Sequence, residues 1–272
     1  MRPEIRKLRH RNEGLYGGML TTIGSLVWVV VLGGILLAAM AKPQMLHHLL
    51  ILLIYVGVGA LFAWIGAALY RAYAMGNMVL LSERQFPELY AIHCEMARVL
   101  GLAEVPTAFI HNASGVMNAF AIRLLRGRYV FLTSALVEVE DDAQLRFVIG
   151  HEIAHHVLGH LNGFKHWLRI PAYFVPFLYR AYSRAREYSC DAVAASVLPD
   201  IRDGLGALQM LACGAKRLNG AMHSDAFAAQ EQMVPGMAGF FVEIFSTHPR
   251  MTRRVARLGA LYASPANRNE VV

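Results

Sequence analysis

Two long runs without a charged side chain dominate the first third of the chain: residues 19–41 and 45–70 contain no Asp, Glu, Lys or Arg. Each exceeds the roughly 20 residues an α-helix needs to cross a bilayer core. Lys42, Pro43 and Gln44 separate them, which predicts a tight transmembrane hairpin over residues 15–75, behind a basic tail at 1–14. Within the second run Gly59, Ala63 and Ala67 recur at i, i+4, a stripe that suits either close helix packing or lipid contact. Beyond residue 75 the pattern becomes that of a domain, extending to residue 262. Leu89, Ile92, Met96 and Val99 predict a helix over 85–101. Pro106–His111 and Phe120–Thr133 read as strands, the second joined to its neighbour near Gly127. Val148, Ile149, Ile153, Ala154, Val157 and Leu158 make a helix too apolar to be a solvated face; Asp141 and Gln144 have capping-box spacing ahead of it, and Gly159 and Gly163 weaken its far end. The alanines between 183 and 195 favour another helix, and a further one is expected near 201–218. A third apolar patch, residues 167–182, is interrupted by Pro171 and Pro176 and carries Arg169 and Arg180. It reads as an interfacial segment with its Tyr and Trp rings at headgroup depth, or as a hydrophobic helix in the domain core. Residues 219–240 read as a mobile Gly- and Met-containing connection whose methionines fill the core, and 263–272 as a polar tail.

Composition sharpens this picture. The chain is 56% hydrophobic, more than a wholly soluble chain of 272 residues hides comfortably. After the hairpin about 180 residues remain, enough for one domain with its own core. Arg2, Arg6, Lys7, Arg9 and Arg11 precede the first apolar run, the hairpin loop has only Lys42, and Arg71 and Arg84 follow the second. The positive-inside rule then places the N-terminus and the domain in the cytoplasm. A cleaved signal peptide ending at Ala39-Met40-Ala41 is disfavoured by the length of the run and the second span behind it. The net charge of +7 points to an anionic membrane surface. With no nucleic-acid motif in the chain, the lipid bilayer is an expected partner and nucleic acid is not. Three scattered cysteines, Cys94, Cys190 and Cys213, fit a reducing compartment, with Cys190 buried and structural.

The chemistry concentrates in His151-Glu152-Ile153-Ala154-His155. Side chains four positions apart on a helix share a face, so His151 and His155 can offer ring nitrogens to one zinc ion, with Glu152 beside it as general base for a zinc-activated water. Two merely structural histidines and a glutamate on so apolar a helix would each need a buried partner. A catalytic zinc needs a third protein ligand. The metzincin spacing is closed, because Leu158, Gly159, His160 and Leu161 put the next histidine out of register. Glu187 and Asp191, at i, i+4 on the downstream helix, offer a carboxylate ligand and an acceptor for the second N–H of a zinc histidine. Arg184 and Arg186 read as an exposed helix face in surface ion pairs.

These residues resemble the HtpX-like membrane-anchored zinc endopeptidases, relatives of the type-I CAAX prenyl proteases in the gluzincin group. The likeness runs through Asn118-Ala119-Phe120-Ala121, Tyr129–Thr133, His151 to His155 with His160, Arg186-Glu187-Tyr188 with Asp191, and Thr247-His248-Pro249 with Arg254. It implies an α+β, mainly helical fold: a transmembrane hairpin followed by a gluzincin-type domain with a small sheet. It also implies one Zn2+ held by His151, His155 and Glu187, Glu152 as catalytic base, and polypeptide substrates in a protein quality-control setting. Asn118, Ala119, Phe120 and Ala121 resemble the family's edge strand, to which an extended substrate adds; for Phe120 an ordinary core strand is an equal reading. His248 resembles a donor to the developing oxyanion, or Thr247-His248-Pro249 simply starts the last helix. Members of the group often carry two further spans in the interval that here is only residues 156–186, so an enclosed intramembrane chamber is not expected. The alternative function is a zinc-stabilised membrane adaptor without catalysis, for which Glu152 would have no use.

Overall fold

The computed structural model describes residues 3–42 and 44–263. After a short helix α1 (Pro3–Lys7), α2 (Arg11–Ala41) and α3 (Met45–Asn77) are the two helices, among the described residues, long and apolar enough to cross a membrane. Pro43 of the expected loop lies outside those residues, as does 264–272 of the expected tail. Gly59 and Ala63 are exposed, and Ala67 packs toward the sheet, so among the described residues the small-residue stripe is not a seam between α2 and α3.

The remaining elements are β1 (Val79–Leu80), α4 (Pro87–Val99), β2 (Thr107–His111), β3 (Ala119–Leu124), β4 (Gly127–Thr133), α5 (Ser134–Val139), α6 (Asp142–Val157), α7 (Gly163–Arg169), a 3₁₀ turn at Ile170–Phe174, α8 (Leu178–Ala195), α9 (Ile201–Cys213), α10 (Lys216–Asn219), α11 (Ser224–Ala229), a 3₁₀ turn at Gln230–Met233, α12 (Gly236–Phe245) and α13 (Met251–Ala263). The four strands lie in the order β1-β2-β4-β3, with β2 and β4 parallel and the other pairs antiparallel. The sheet therefore leaves β3 as an open edge. One face packs on α3, where Ala74 joins Phe109, Leu124, Tyr129 and Phe131 and Tyr70 meets the edge of Phe131 at 5.8 Å. The other covers α6 and α4 through Ala108, Ile110, Val130 and Leu132. Alternation along the strands assigns these two sets to opposite faces.

The boundary between anchor and domain is not where the charge pattern puts it. Residues 3–14 fold onto the domain: Ile5 is buried in the main core, Leu8 packs against it and Glu13 is 2% exposed. The first turns of α2 bury Gly17, Leu20 and Gly24. Gly24 is required, because a Cβ there would sit 2.2 Å from the Leu168 carbonyl oxygen. The patch at 167–182 divides into α7, the 3₁₀ turn and the start of α8. It clasps α2 through stacked Trp28 and Trp167, a hydrogen bond from Arg169 Nε to Thr21 Oγ1, and a cluster of Leu20, Ala172, Leu178 and Tyr182. Residues 219–240 are correspondingly not an irregular connection. They fold into short helices, and Met233 and Met237 are 78% and 79% exposed rather than core filler, because among the described residues no element packs over them.

Candidate active site

α6 begins with the predicted capping box: Asp141 accepts from the Gln144 backbone N–H and the Gln144 side chain accepts from the Asp141 N–H. Its middle turns are buried between the sheet, α4, α8 and α9, which carries His151, Glu152 and His155 into the interior. α8 crosses α6 and supplies Glu187. Nε2 of His151 lies 3.3 Å from Glu187 Oε2, and Nε2 of His155 lies 3.7 Å from Glu187 Oε1. Three donor groups from two helices, His151 and Glu187 buried and His155 half-buried, thus face one another. Burial pulls the His151 imidazole down, but Asp191 and Glu187 outweigh it and push it up to about 10. Burial holds His155 well below the usual histidine range, and Glu187, despite burial, is held well below the carboxylate range by His151. The carboxylates around His151 thus favour positive charge between it and Glu187. The donor set fits a divalent cation.

Cys190 Sγ is a rival third donor, within 4.8 Å of the histidine nitrogens. It lies 3.6 Å from His160 Nδ1, and burial pushes its thiol up. Glu187 turns one carboxylate oxygen toward each of the two Nε2 atoms.

Asp191 lies one turn beyond Glu187. Its Oδ1 accepts from His151 Nδ1 at 2.9 Å and from Arg254 Nη2 at 2.6 Å, and its Oδ2 accepts from Arg254 Nε at 2.8 Å. This bond fixes the His151 tautomer with Nε2 turned to Glu187. Arg254, on α13, is 6% exposed and ties the last helix to the site. Its weight was not visible from the sequence, where it is one of several arginines on an amphipathic helix. Arg184 and Arg186 depart from the expected exposed face. Arg184 donates to the carbonyls of Glu243 and Ser246, holding the segment before His248, and Arg186 stacks over Tyr182 and donates to Ser183 Oγ. α8 is packed on both sides, so its basic residues have no solvated face to occupy.

Glu152 is buried beside these donors, and burial, its largest influence, pushes its carboxyl up to about 7. His151 and a backbone hydrogen bond from Ala121 pull the other way. That bond also orients the strand: in an antiparallel edge strand alternate residues turn both backbone groups outward. Ala119 and Ala121 therefore face the cleft, while Phe120 pairs with Phe131 across the ladder and stacks on its ring at 4.9 Å. Phe120 is accordingly half in the core, the ordinary reading of that position. Asn118 is held by Thr133, through its N–H to Oγ1 and its carbonyl to the Thr133 N–H. Two adjoining cavities of about 320 Å³ each open on either side of Ala119, sharing His151, Glu152, Glu187 and His248. His248 is at the mouth, its Nε2 3.9 Å from Glu187 Oε2 and its side chain 66% exposed. Pro249 precedes α13 rather than lying in its first turn.

The family model for Peptidase family M48 matches residues 83–175 and 162–261, well over half of the chain and both helices that carry the donors. The chain belongs to peptidase family M48. Among M48-like curated proteins it is 26% identical over 170 residues to the Plastoglobule-localized metallopeptidase 48, chloroplastic, of Arabidopsis thaliana, covering 57% of this chain and 49% of that one. It is 32% identical over 158 residues to the Protease HtpX homolog of Pyrobaculum aerophilum, covering 57% and 44%. The chain thus spans about half the length of these two relatives. A Protease HtpX homolog of Polynucleobacter necessarius subsp. necessarius is 25% identical over 255 residues, 77% of this chain and 85% of the relative. The crystal structure of S. mikatae Ste24p shares the fold, with a TM-score of 0.52 over 89% of this chain and 66% of that one, at 17% identity. The HtpX-like resemblance and the mainly helical α+β fold with two apolar N-terminal helices are borne out.

Proposed function

We propose that this M48 chain is a membrane-anchored zinc-dependent endopeptidase. It hydrolyses peptide bonds of membrane or membrane-proximal proteins, in a protein quality-control setting, with its N-terminus and domain on the cytoplasmic side of a bacterial cell membrane. The observation that carries the reading is the convergence of His151, His155 and Glu187, with Glu152 beside them, in a cleft bordered by an open sheet edge. Zinc held by these three residues supplies Lewis acidity toward a water and the scissile carbonyl. Glu152, pushed up to about 7, is poised near neutrality to accept the proton of the attacking water and return it to the leaving amine. Ala119 and Ala121 offer outward backbone groups that align an extended polypeptide beside the base. His248, at the mouth, donates a hydrogen bond to the oxyanion as it develops. Membrane-proximal substrates are supported by α12, whose Met237, Phe240, Phe241 and Phe245 are exposed on the helix that leads directly into His248. The cytoplasmic placement rests on the N-terminal basic residues.

The test is digestion of casein by detergent-purified protein, wild type against Glu152→Gln, with bound zinc measured on both. The substitution is expected to keep the metal and to lower kcat by about 10²- to 10⁴-fold, the usual contribution of a positioned acid–base group. A zinc-loaded variant that cleaves at the wild-type rate overturns the mechanism. A reporter fused after Val272 that signals from the far side of the membrane overturns the orientation.

A further inference from the structure

His160 follows the end of α6 through Gly159, whose φ of +74° turns the chain back. The His160 N–H donates to the His155 carbonyl, and the two rings come to 5.0 Å with Nδ1 facing Nδ1 at 3.0 Å. On its other side, His160 Nε2 lies 3.1 Å from Oε1 of Glu13, on the first turn of the membrane-anchor helix α2. Both side chains are 1% exposed. Glu13 is itself held in place: Arg9 Nη1 donates to Oε1 at 2.8 Å, Ser189 Oγ donates to Oε2 at 2.5 Å, and Ser189 in turn accepts from the His10 N–H.

Proton bookkeeping along this chain of groups leaves little freedom. A carboxylate only accepts, so His160 Nε2 carries a hydrogen and points it at Glu13. A neutral His160 then has a bare Nδ1, which needs a donor. His155 Nδ1 is that donor, with the weaker Cys190 thiol at 3.6 Å as the other neighbour. With its hydrogen on Nδ1, His155 presents a bare Nε2, the atom that faces Glu187. The arrangement on His151 is the same in kind, but there the carboxylate, Asp191, is in direct contact.

We infer that Glu13, acting through His160, is a positioning residue for the metal ligand His155, so that the membrane-anchor helix forms part of the metal site rather than only a tether. The inference rests on the zinc reading above. Asp191 from α8 locks one histidine ligand and Glu13 from α2 locks the other. Residues that hold a ligating histidine in this way typically change metal affinity by 10- to 100-fold.

The experiment uses the full chain in detergent and measures Zn2+ affinity by competition with a chelator, for wild type, Glu13→Gln, His160→Ala and the double variant. Each single substitution is expected to weaken Zn2+ binding by about tenfold or more, and the double variant to be no weaker than His160→Ala alone, because the two residues act in series. In the zinc-free protein, ¹⁵N NMR of histidine is expected to show His155 as its Nδ1–H tautomer, with Nε2–H appearing in His160→Ala, where the acceptor for Nδ1–H is gone. Variants that bind Zn2+ within twofold of wild type, or whose effects simply add, overturn the inference. If Glu13→Gln does not fold, His160→Ala and the wild-type tautomer decide it by the same criteria. Wild type that binds no Zn2+ overturns the metal reading instead.

Discussion

Asp191→Asn separates the electrostatic and geometric parts of the site most cleanly. The carboxylate accepts three hydrogen bonds, one from His151 and two from Arg254, and it is 3% exposed. An amide in its place keeps one acceptor oxygen and turns the other position into a donor. Whichever way it is set, an NH2 group faces a guanidinium or imidazole N–H, and Arg254 stays buried without a counter-charge. Breaking a buried ion pair by removing one partner costs about 3–5 kcal/mol. At roughly 2–4 °C per kcal/mol for a domain of this size, the thermal midpoint should fall by about 6–20 °C. A neutral amide is also a weaker acceptor for His151 Nδ1–H than the carboxylate, so Zn2+ affinity should fall about 10- to 100-fold, or roughly 1.4–2.7 kcal/mol. Thermal melts followed by circular dichroism in detergent, with and without Zn2+, give the first quantity, and chelator competition gives the second. Arg254→Met is the control: it leaves the Asp191–His151 bond in place, and its loss should fall mainly on stability. The reasoning is refuted if Asp191→Asn binds Zn2+ as tightly as wild type, or if Arg254→Met weakens Zn2+ binding to the same extent.

Three other perturbations test separate links. Glu187→Ala should lose most of the bound metal by elemental analysis; unchanged stoichiometry would move the third ligand to Cys190. Glu140 is 4% exposed, neither of its carboxylate oxygens has a hydrogen-bond partner among the described residues, and burial pushes its carboxyl up to about 8. The fold therefore favours the protonated form, so its stability is unimpaired below about pH 4.5 and declines as pH rises toward 8, by about 1.4 kcal/mol per pH unit and of order 5 kcal/mol in all. Glu140→Gln should thus be more stable than wild type in urea at pH 8 and nearly equal at pH 5; a pH-independent difference would contradict the assignment. Gly24→Val puts side-chain carbon against the Leu168 carbonyl, an overpacking cost of about 1–3 kcal/mol. Limited proteolysis should then cut residues 163–177 faster than in wild type, and an unchanged cleavage rate would show that α2 and α7 can part without consequence.

What could be read from the sequence was what repeats with a local period or closes a local motif. The capping box of α6, the heptad-like stripe of α4 and the β3–β4 hairpin turning at Leu125-Arg126 all depend on neighbours within a few residues, and all occur close to their expected bounds. The candidate donors and their neighbour Asp191 stood out for the same reason: His151 and His155, and Glu187 and Asp191, are each i, i+4 pairs on a helix. Contacts that join distant segments left no such trace. Nothing local tells Ile5 or Glu13 from the rest of a basic tail, because what buries them is the far side of α6 and α8. Arg254 was ambiguous for a related reason, since its partner lies on α8. The methionines of 219–240 misled in the opposite direction: a flexible apolar side chain suggests core filler, and only the packing shows that, among the described residues, no element lies over Met233 and Met237.

The lengths of the two anchor helices account for the blurred boundary between membrane and domain. At 1.5 Å per residue, α2 with 31 residues and α3 with 33 are about 46 and 50 Å long, against a hydrocarbon core of about 30 Å. Either helix could absorb the surplus by tilting, but the structure puts it to another use. The first turns of α2 run between α7 and α8, and the last turns of α3 lie on the sheet. The surplus is therefore protein-facing, which is why its residues include Gly17, Gly24 and Ala74, small enough for close approach, and Glu13, which a lipid-facing helix would not carry. Any movement of α2 relative to the domain would have to break the Trp28–Trp167 stack, the Arg169–Thr21 bond and the Glu13–His160 contact together. Of these three contacts the Glu13–His160 one also touches His155, so α2 meets the domain at the candidate site as well as at α7.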